Sequence, residues 1–327
     1  MTASPTAQAA SAVHSHHNSS KAPRISYILS TRNRLNFLKI TLETLLSSLQ
    51  GDEEVIIVDA NSNDGTQEYL ATLTRHHTNL RITSEPDRNQ AHGWNKAILQ
   101  AQGRYIKKII DDDVYDYRAI RCCLDWLDSH PDCDVMTSND MGMTLGESDS
   151  VTFMSRLSRY ELWASGEIPS FPFSDMHIIL RRSSLPLLGL YDTSFVNMDY
   201  EYSLRISYVR AGIAYYTGCL GMNIRSPITI TSNISKETHR LEGIRANTMY
   251  QFAGYGSEIS SWSWFKLLIG RTLTKLRNHY FPATGDPSIP TLQDAAEMEN
   301  FYTLAYQKLI EHNLDSAPEI LFLPAGH

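Results

Sequence analysis

The feature that most constrains this chain is an alternation of short apolar strands with amphipathic helices, which begins at Ile25. The first unit is a strand over Ile25–Leu29 followed by helical apolar spacing over Leu35–Leu49, which Gly51 ends. Further strands are predicted at Glu54–Val58, Leu80–Thr83 and Arg104–Ile110, with a helix over Gln90–Gln102. Such an alternation predicts an α/β fold with a mainly parallel, Rossmann-like sheet and flanking helices.

Polar clusters follow three of these strands at their carboxyl ends. They are Ser30–Arg34, Asp59–Asp64 and Asp111–Asp113. Ligands of open parallel sheets bind beyond the carboxyl ends of the strands, where neighbouring strands deliver their side chains to one edge. The three clusters therefore predict one ligand site along this edge.

The three consecutive aspartates repel one another, so a cation is expected among them. In an extended chain Asp111 and Asp113 would share one face, with Asp112 opposite, although a turn would change this. Carboxylates suit a hard divalent ion such as Mn2+ or Mg2+, which can bridge a nucleotide diphosphate. The alternative is a solvated acidic turn without a ligand.

The second half of the sequence is less regular. A strand is predicted over Asp175–Arg181 and a helix over Met198–Ala211. From Lys236 onward the pattern is mostly helical, with a break rich in Pro and Gly at 281–290. The sequence thus predicts a disordered tail at 1–23, a sheet domain at 24–235 and a helical C-terminal extension at 236–327.

The bulk properties narrow the function. The 327 residues carry a formal charge of -7, which argues against nucleic acid as a partner. No apolar run approaches the ~18–20 residues that span a bilayer, and the first residues do not resemble a secretion signal. A cytoplasmic protein is expected, and the sequence leaves its oligomeric state open.

The stretch 265–281 interleaves apolar and basic residues at helical spacing. Such a helix could lie on an anionic membrane surface, which would place the protein peripherally at the inner membrane face and near lipid-linked acceptors. An ordinary surface helix that packs on the core is the favoured interpretation.

The order of these motifs resembles family 2 glycosyltransferases of the GT-A fold. The matching segments run from Ile25-Ser-Tyr-Ile-Leu-Ser-Thr-Arg-Asn-Arg34 through Val58-Asp-Ala-Asn-Ser-Asn-Asp-Gly-Thr66 and Gly93-Trp-Asn-Lys-Ala-Ile to Gly103-Arg-Tyr-Ile and the aspartates. The resemblance covers about two-thirds of the chain, from Arg24 to Arg225. It is specific in its combined order, whereas each motif alone is weak.

The resemblance implies roles for individual residues. Ser30, Thr31 and Arg34 would line the nucleotide pocket, and Asp59 would bind the base, usually uracil. Asp111 would face the ribose or the metal, while Asp112 and Asp113 would hold the metal and the diphosphate. This sequence differs from the family's pattern at three positions. In the base-binding loop, Ala60 stands where the family often has Asp, and Asn61 stands where it often has Gly. The first aspartate of the family's D-x-D motif falls on Ile110 in this sequence.

A segment downstream, Asn197-Met-Asp-Tyr-Glu-Tyr-Ser-Leu-Arg205, resembles the part of the family that supplies the catalytic base in inverting members. Asp199 takes the base position and Glu201 is the second candidate, with Arg205 as a structural partner of either acid. A carboxylate there would accept the proton of the acceptor hydroxyl. The alternative is an acidic residue that only stabilises the start of a helix.

Other residues carry weaker predictions. Trp94 would form either a sugar-stacking wall or part of the core, and His177 would line the acceptor site or simply be packed. Arg225 would reach the diphosphate from a loop or be merely exposed. A loop within 145–174 or 225–235 is expected to close over the donor.

Together these observations predict a glycosyltransferase of the hexosyl or N-acetylhexosaminyl class. It would move a sugar from a nucleotide-sugar donor, a UDP-sugar by preference, to a saccharide, lipid-linked or small-molecule acceptor, with Mn2+ or Mg2+ and with inversion. A sugar-phosphate nucleotidyltransferase is an alternative, although the loop after the first strand lacks the glycines that such enzymes use. A non-catalytic carbohydrate-binding relative is the other.

Overall fold

The computed structural model describes residues 22–226, 235–253 and 295–323. Its larger sheet has eight strands. They are β1 (Ile25–Thr31), β2 (Glu53–Asp59), β3 (Leu80–Ser84), β4 (Tyr105–Lys108), β6 (Val135–Ser138), β9 (Ile179–Arg181), β10 (Ile213–Tyr216) and β12 (Ile320–Leu321). Their order across the sheet is β12-β10-β6-β9-β4-β1-β2-β3.

The larger sheet is mainly parallel, as the sequence predicts. β1 pairs in parallel with β2 and β4, β2 with β3, and β6 with β10. The antiparallel members are β9, between β4 and β6, and β12 at the edge beside β10. β2 is buried along its whole length, because helices cover both faces of the sheet.

A smaller sheet has four strands in the order β5-β11-β7-β8. They are β5 (Val114–Tyr115), β7 (Asp140–Thr144), β8 (Glu147–Met154) and β11 (Gly221–Arg225). β5 follows the aspartates directly, and it pairs antiparallel with β11. The smaller sheet therefore begins where the largest polar cluster of the sequence ends.

The helices predicted at 35–49, 90–102 and 198–211 begin at the predicted residue and end within three residues of the predicted end. The described residues form nine α-helices. They are α1 (Leu35–Ser48), α2 (Thr66–Leu73), α3 (Gln90–Gln100), α4 (Tyr117–Ser129), α5 (Leu157–Ala164), α6 (Leu185–Leu188), α7 (Met198–Tyr208), α8 (Lys236–Met249) and α9 (Ala295–Ser316). Side chains that accept hydrogen bonds from the first turn cap α3 and α4, through Asn89 and Asp116 respectively.

Three apolar clusters hold the layers together. Two of them cover the faces of the larger sheet, and the third joins the smaller sheet to α9. Members of the third cluster include Met143 and Ile224 from the strands and Phe301 and Leu309 from α9. The described residues after 235 form α8, α9 and β12, and β12 adds a strand to the larger sheet.

Some predictions differ from the structure in extent. The strand predicted over Asp175–Arg181 is a 3-10 turn at Asp175–His177 followed by β9, and α7 ends at Tyr208 rather than at Ala211. The predicted features at 1–21, 265–281 and 281–290, and most of the loop at 225–235, lie outside the described residues. The division at residue 235 remains a prediction.

Candidate active site

The register of the larger sheet brings the polar clusters together. Thr31 and Asp59 are paired at the ends of β1 and β2, and Ile28 pairs with Lys108 at the end of β4. Thr31 and Asp111 each lie three residues beyond this pair, so the two residues lie side by side. The Thr31 hydroxyl donates a hydrogen bond of 2.6 Å to Asp111 Oδ2.

Arg34, at the start of α1, is the positive group of this cluster. Its Nε lies 2.9 Å from Asp111 Oδ1, and its Nη2 donates to Asp112 Oδ2. One guanidinium thus holds two adjacent carboxylates in a fixed geometry. The aspartates are almost fully buried, which excludes a solvated acidic turn.

The three aspartates do not converge on one point. Residues 110–113 form a turn in which the amide of Asp113 donates to the Ile110 carbonyl. Asp113 Oδ1 accepts from the backbone of Ile224 at 2.8 Å and from Asn223 Nδ2 at 3.1 Å, both in β11. The chain forms the turn that the sequence analysis left open rather than an extended strand, and Asp111 and Asp112 share Arg34 while Asp113 binds β11.

The electrostatics of the cluster follow from this burial. Burial raises the pKa of Asp112 to about 6, while Arg34 lowers it. Burial, together with the neighbouring Asp112, raises the pKa of Asp113 well above its ordinary value. Arg34 therefore supplies part of the positive charge that the sequence analysis assigns to a cation.

The carboxylate oxygens of Asp112 and Asp113 decide whether the turn can bind a metal ion. Within the described residues, no three His, Cys, Asp or Glu side chains form a metal-binding group, so the triplet is not a three-carboxylate cage. In the same part of the chain, Asp113 Oδ2 is buried without a partner, and Arg34 Nη2 donates to Asp112 Oδ2. These carboxylates fit Mn2+ or Mg2+ as part of a coordination shell. In such a shell the protein supplies one or two carboxylates, and substrate phosphates and water supply the other ligands.

Asp59 belongs to a tight polar loop after β2. Its carboxylate is fully buried and accepts from the amide and hydroxyl of Ser62. Asn61 is exposed, with a left-handed φ of 58°, a conformation that Asn tolerates and that Gly would also adopt. The loop is joined to the end of β1 by the Asn33 amide, which donates to Ser62 Oγ at 2.8 Å. The structure brings the Asp59 loop and the Arg34 segment together.

Ser30 lies on the opposite side of β1 from this network. A methyl group at Gly93 in α3 would lie 2.2 Å from Ser30 Oγ and 2.3 Å from Asp87 Oδ2. Glycine at this position therefore lets α3 approach the end of β1. Lys96, one turn further along α3, pairs with Asp87 at 2.7 Å.

A buried ion pair that the sequence analysis missed lies between the aspartates and α7. Lys108, the last residue of β4, donates to Asp175 Oδ2, and Tyr191 donates to the same oxygen at 2.9 Å. The Lys108 ammonium also lies 4.4 Å from the ring of Trp94. Two lysines in an otherwise apolar buried strand were the signal that such a partner was needed.

Asp199 lies in the first turn of α7 and is partly exposed. Within the described residues its carboxylate makes no side-chain hydrogen bond or ion pair. Burial, together with the charge of Asp175, raises its pKa, while Lys108 lowers it. The same Asp175 pairs with Lys108, three residues before Asp111, so the charges of this ion pair act on the Asp199 carboxylate.

Glu201 lies in a different environment on the same helix. It is 1% exposed, accepts from Arg205 Nε at 2.8 Å, and accepts from Tyr250 Oη at 2.5 Å. Arg205 continues to the carbonyl groups of Leu188 and Leu190. The geometry therefore favours a structural role for Glu201, whereas the Asp199 carboxylate has no side-chain partner among the described residues.

Of the residues with weaker predictions, Trp94 and His177 are buried and Arg225 is exposed. Trp94 is fully buried under Lys108, and His177 is 1% exposed with Nε2 at 3.6 Å from Asp140 Oδ1. Arg225 lies on β11, where Nη1 donates to Thr152 Oγ1 of β8 at 2.7 Å. None of the described helices has the length and apolar character of a membrane-spanning segment.

Comparison with solved structures defines the fold class. The mannosyltransferase PcManGT from Pyrobaculum calidifontis, solved with GDP-Man and Mn2+, is 15% identical and superimposes with a TM-score of 0.54, covering 89% of this chain and 88% of that one. Residues 1–349 of S. aureus TarS, solved with UDP-GlcNAc, are also 15% identical, with a TM-score of 0.53 and coverage of 88% and 82%. The fold is the GT-A fold of glycosyltransferases.

Sequence comparison gives the family. Residues 26–187 match the family described as Glycosyl transferase family 2. A poly-beta-1,6-N-acetyl-D-glucosamine synthase from Staphylococcus epidermidis is 23% identical over 186 residues, which are 56% of this chain and 45% of that protein. The chain belongs to glycosyltransferase family 2, and it spans less than half the length of this curated relative.

Proposed function

We propose that this protein transfers a sugar from a UDP-sugar to a hydroxyl group of a saccharide acceptor, with inversion at the anomeric carbon. The observation that carries the proposal is the buried arrangement of Asp111 and Asp112 on Arg34, at the carboxyl end of β4 and beside the Asp59 loop. A site of this kind offers a base-binding loop, a positive group and carboxylates to one nucleotide diphosphate.

Two features support a donor site at this edge. The loops after β1, β2 and β4 meet there, and hydrogen bonds between them fix their relative positions. The TarS and PcManGT structures, which share the fold, were solved with UDP-GlcNAc and with GDP-Man and Mn2+ respectively. A divalent cation held by Asp112 and the donor's phosphates would neutralise the charge that develops on the leaving diphosphate.

Asp199 is the proposed general base. Its carboxylate accepts the proton of the acceptor hydroxyl, whose oxygen attacks the anomeric carbon while the bond to the diphosphate breaks and its electron pair leaves with UDP. A raised pKa suits this task, because it makes the carboxylate a stronger proton acceptor. Arg34 stays with Asp111 and Asp112 and adds positive charge near the leaving group.

α8 and the residues before α7 hold the base in place. Glu242 of α8 accepts hydrogen bonds from the backbone amides of Val196 at 2.9 Å and Asn197 at 2.8 Å. The first turn of α7, and with it Asp199, is thereby fixed against α8. A general base needs a fixed position, because a small displacement from the reacting oxygen lowers the reaction rate strongly.

The test measures donor binding and turnover separately. UDP, UDP-GlcNAc and GDP-Man are titrated calorimetrically into the protein with and without Mn2+, and UDP release from UDP-GlcNAc is followed with saccharide acceptors. We expect UDP binding that Mn2+ strengthens and that Asp112→Asn weakens by about tenfold or more. Asp125→Asn, at an exposed carboxylate on α4, is the matched control and should bind as the unaltered protein does.

The outcomes separate the candidate functions. Absence of binding by every nucleotide and nucleotide sugar contradicts the proposal. Release of pyrophosphate from a nucleoside triphosphate and a sugar phosphate would instead indicate a nucleotidyltransferase. Saccharide binding without any nucleotide binding would indicate a non-catalytic carbohydrate-binding protein.

A further inference from the structure

α9 lies outside the residues that match the family, yet it contacts the aspartate turn directly. Tyr302 is 5% exposed, and its hydroxyl donates a hydrogen bond of 2.8 Å to the backbone carbonyl of Asp112. This is the residue whose carboxylate is held by Arg34. A side chain more than 110 residues beyond the matched region therefore fixes the backbone at the centre of the proposed donor site.

The ring of Tyr302 makes a second link to the same site. It packs edge-on against Phe37, with ring centroids 6.5 Å apart. Phe37 in turn lies under the guanidinium of Arg34, at 5.1 Å from the ring centroid. Tyr302 thus supports Asp112 through its hydroxyl and Arg34 through its ring.

A third contact lies farther along the same helix. Asn313 Nδ2 donates to Asp116 Oδ2 at 3.0 Å and to the Cys219 carbonyl at 2.9 Å, and Asn313 Oδ1 accepts from the Cys219 amide. Asp116 caps α4 immediately after β5. α9 therefore holds the segment 112–116 at both of its ends.

We infer that α9 is part of the donor site and that Tyr302 is a positioning residue, which sets the direction of the Asp112 carboxylate toward Arg34 and the donor's diphosphate. The inference rests on the proposed function for its ligand. Partners that orient a ligand side chain without touching the ligand change affinity by about 10–100-fold when they are removed. The Asp112 carbonyl is buried, so loss of the Tyr302 hydroxyl leaves it without a partner and frees the turn to rotate.

A purely structural role for Tyr302 predicts a different result. The ring belongs to the cluster that joins α9 to the smaller sheet, and Tyr302→Phe keeps the ring and removes only the hydroxyl. Tyr306→Phe is the matched control. Tyr306 lies one turn further along α9, is half-buried, and makes no hydrogen bond through its hydroxyl within the described residues.

The experiment is a calorimetric titration of UDP into the unaltered protein and both variants, with and without Mn2+, together with thermal unfolding. For Tyr302→Phe we expect the affinity gained from Mn2+ to fall by about tenfold, while UDP binding without Mn2+ changes less than twofold. Tyr306→Phe should match the unaltered protein in both titrations. General loosening of the fold would weaken both titrations together, so the split between them is the diagnostic readout.

Each other outcome overturns the inference. Equal Mn2+-dependent binding in Tyr302→Phe and the unaltered protein shows that the hydroxyl does not position Asp112. If the unaltered protein binds no UDP at all, the proposed function fails and the inference fails with it. If Tyr302→Phe is unfolded at the assay temperature, Phe37→Leu tests the ring link, and undiminished Mn2+-dependent binding in that variant is equally contradictory.

Discussion

Four carboxylates of similar chemistry acquire different roles from their neighbours. Asp111 and Asp112 both contact the guanidinium of Arg34, whereas Glu201 accepts hydrogen bonds from Arg205 and Tyr250. Asp199 remains partly exposed without a side-chain partner in the described part of the chain. The proposed general base needs such freedom, because a carboxylate fixed in a buried ion pair cannot change its charge without breaking the pair.

This difference predicts that two isosteric substitutions in α7 change different properties, one the transfer rate and the other the stability. Asp199→Asn should reduce transfer by about 10²–10⁴-fold, the range of a lost general base, with donor binding and stability nearly unchanged. Glu201→Gln should instead lower the free energy of unfolding by about 3–5 kcal/mol, because it leaves Arg205 uncompensated. UDP release and urea unfolding measure the two effects. Transfer that survives Asp199→Asn would refute the base assignment.

The buried His177 predicts an acid-sensitive fold. Burial lowers the pKa of His177 to about 4 from 6.5, although Asp140 opposes the change and Lys107 and Arg156 reinforce it. Between these pKa values the unfolded chain binds the proton and the native protein does not. Stability therefore falls as pH decreases from 6.5 to 4, by up to about 3 kcal/mol from this group.

His177→Gln should flatten that part of the stability profile. Urea unfolding at pH 4.5 and at pH 7 measures the difference for the unaltered protein and the variant. His76→Gln, at an exposed position after α2, is the control and should keep the original pH dependence. Equal slopes for His177→Gln and the unaltered protein would mean that other buried groups govern acid unfolding.

The residues of the site were only partly predictable from the sequence. The motifs indicated Thr31, Arg34 and the aspartates as candidate site residues, because these residues lie at short spacings beyond strand ends. The direction of each aspartate was not predictable, since the turn at 110–113 is set by β11 and α9, which are distant in sequence. Tyr302 gave no local signal, because its partner is a backbone carbonyl 190 positions away.

At the scale of elements, glycines set how closely helices and strands approach. The sequence analysis predicts a helix up to Gln102, directly before Gly103. The helix ends at Gln100, and Gly103 lies against the start of β1. A Cβ at Gly103 would lie 2.5 Å from the Ser26 amide nitrogen and 2.6 Å from the Ile25 carbonyl carbon. These backbone atoms cannot move away from an added methyl group as the end of a flexible side chain can.

Gly103→Ala should therefore destabilise the protein by about 1–3 kcal/mol or more, through forced separation of β1 and the α3–β4 connection. Gly51→Ala is the matched control, because a Cβ there meets nothing within 4 Å, and its effect should stay within about 0.5 kcal/mol. Urea unfolding of both variants checks the contrast. A Gly103→Ala variant as stable as Gly51→Ala would contradict the close packing described here.

Elements with a strong local pattern were predicted well, and those fixed by long-range pairing were not. β2 and α1 were readable because continuous burial and helical spacing each have a sequence period. β5 and β12 have two residues each and exist only because β11 and β10 pair with them. Such short strands have no period of their own, so β5 and β12 went unpredicted.

For the molecule as a whole, the C-terminal residues complete the core rather than extend from it. α9 buries one side of the third apolar cluster, and β12 pairs with the edge strand β10. Tyr160 of α5 reinforces this edge, since its hydroxyl donates to the Leu321 carbonyl at 3.2 Å and accepts from the Leu323 amide at 3.0 Å. The proposed donor site and the C-terminal segment therefore share one packed structure.

Removal of residues 295–327 should consequently disable the fold and the site together. It would expose Met143 and Ile224, leave β10 as an unpaired edge, and release the Asp112 carbonyl from Tyr302. We expect a melting temperature lowered by well over 10 °C or a loss of cooperative unfolding, with increased binding of a hydrophobic dye and no measurable UDP affinity. Calorimetry and dye fluorescence measure these effects.

Removal of residues 1–21 is the control for this truncation, because their composition predicts a tail with little to bury. That variant should unfold at the original temperature and bind UDP normally. A shortened chain that lacked residues 295–327 yet kept its melting temperature would mean that the sheet is self-sufficient. If such a chain lost only UDP binding, α9 would serve the donor site alone, and its place in the core would contribute little to stability.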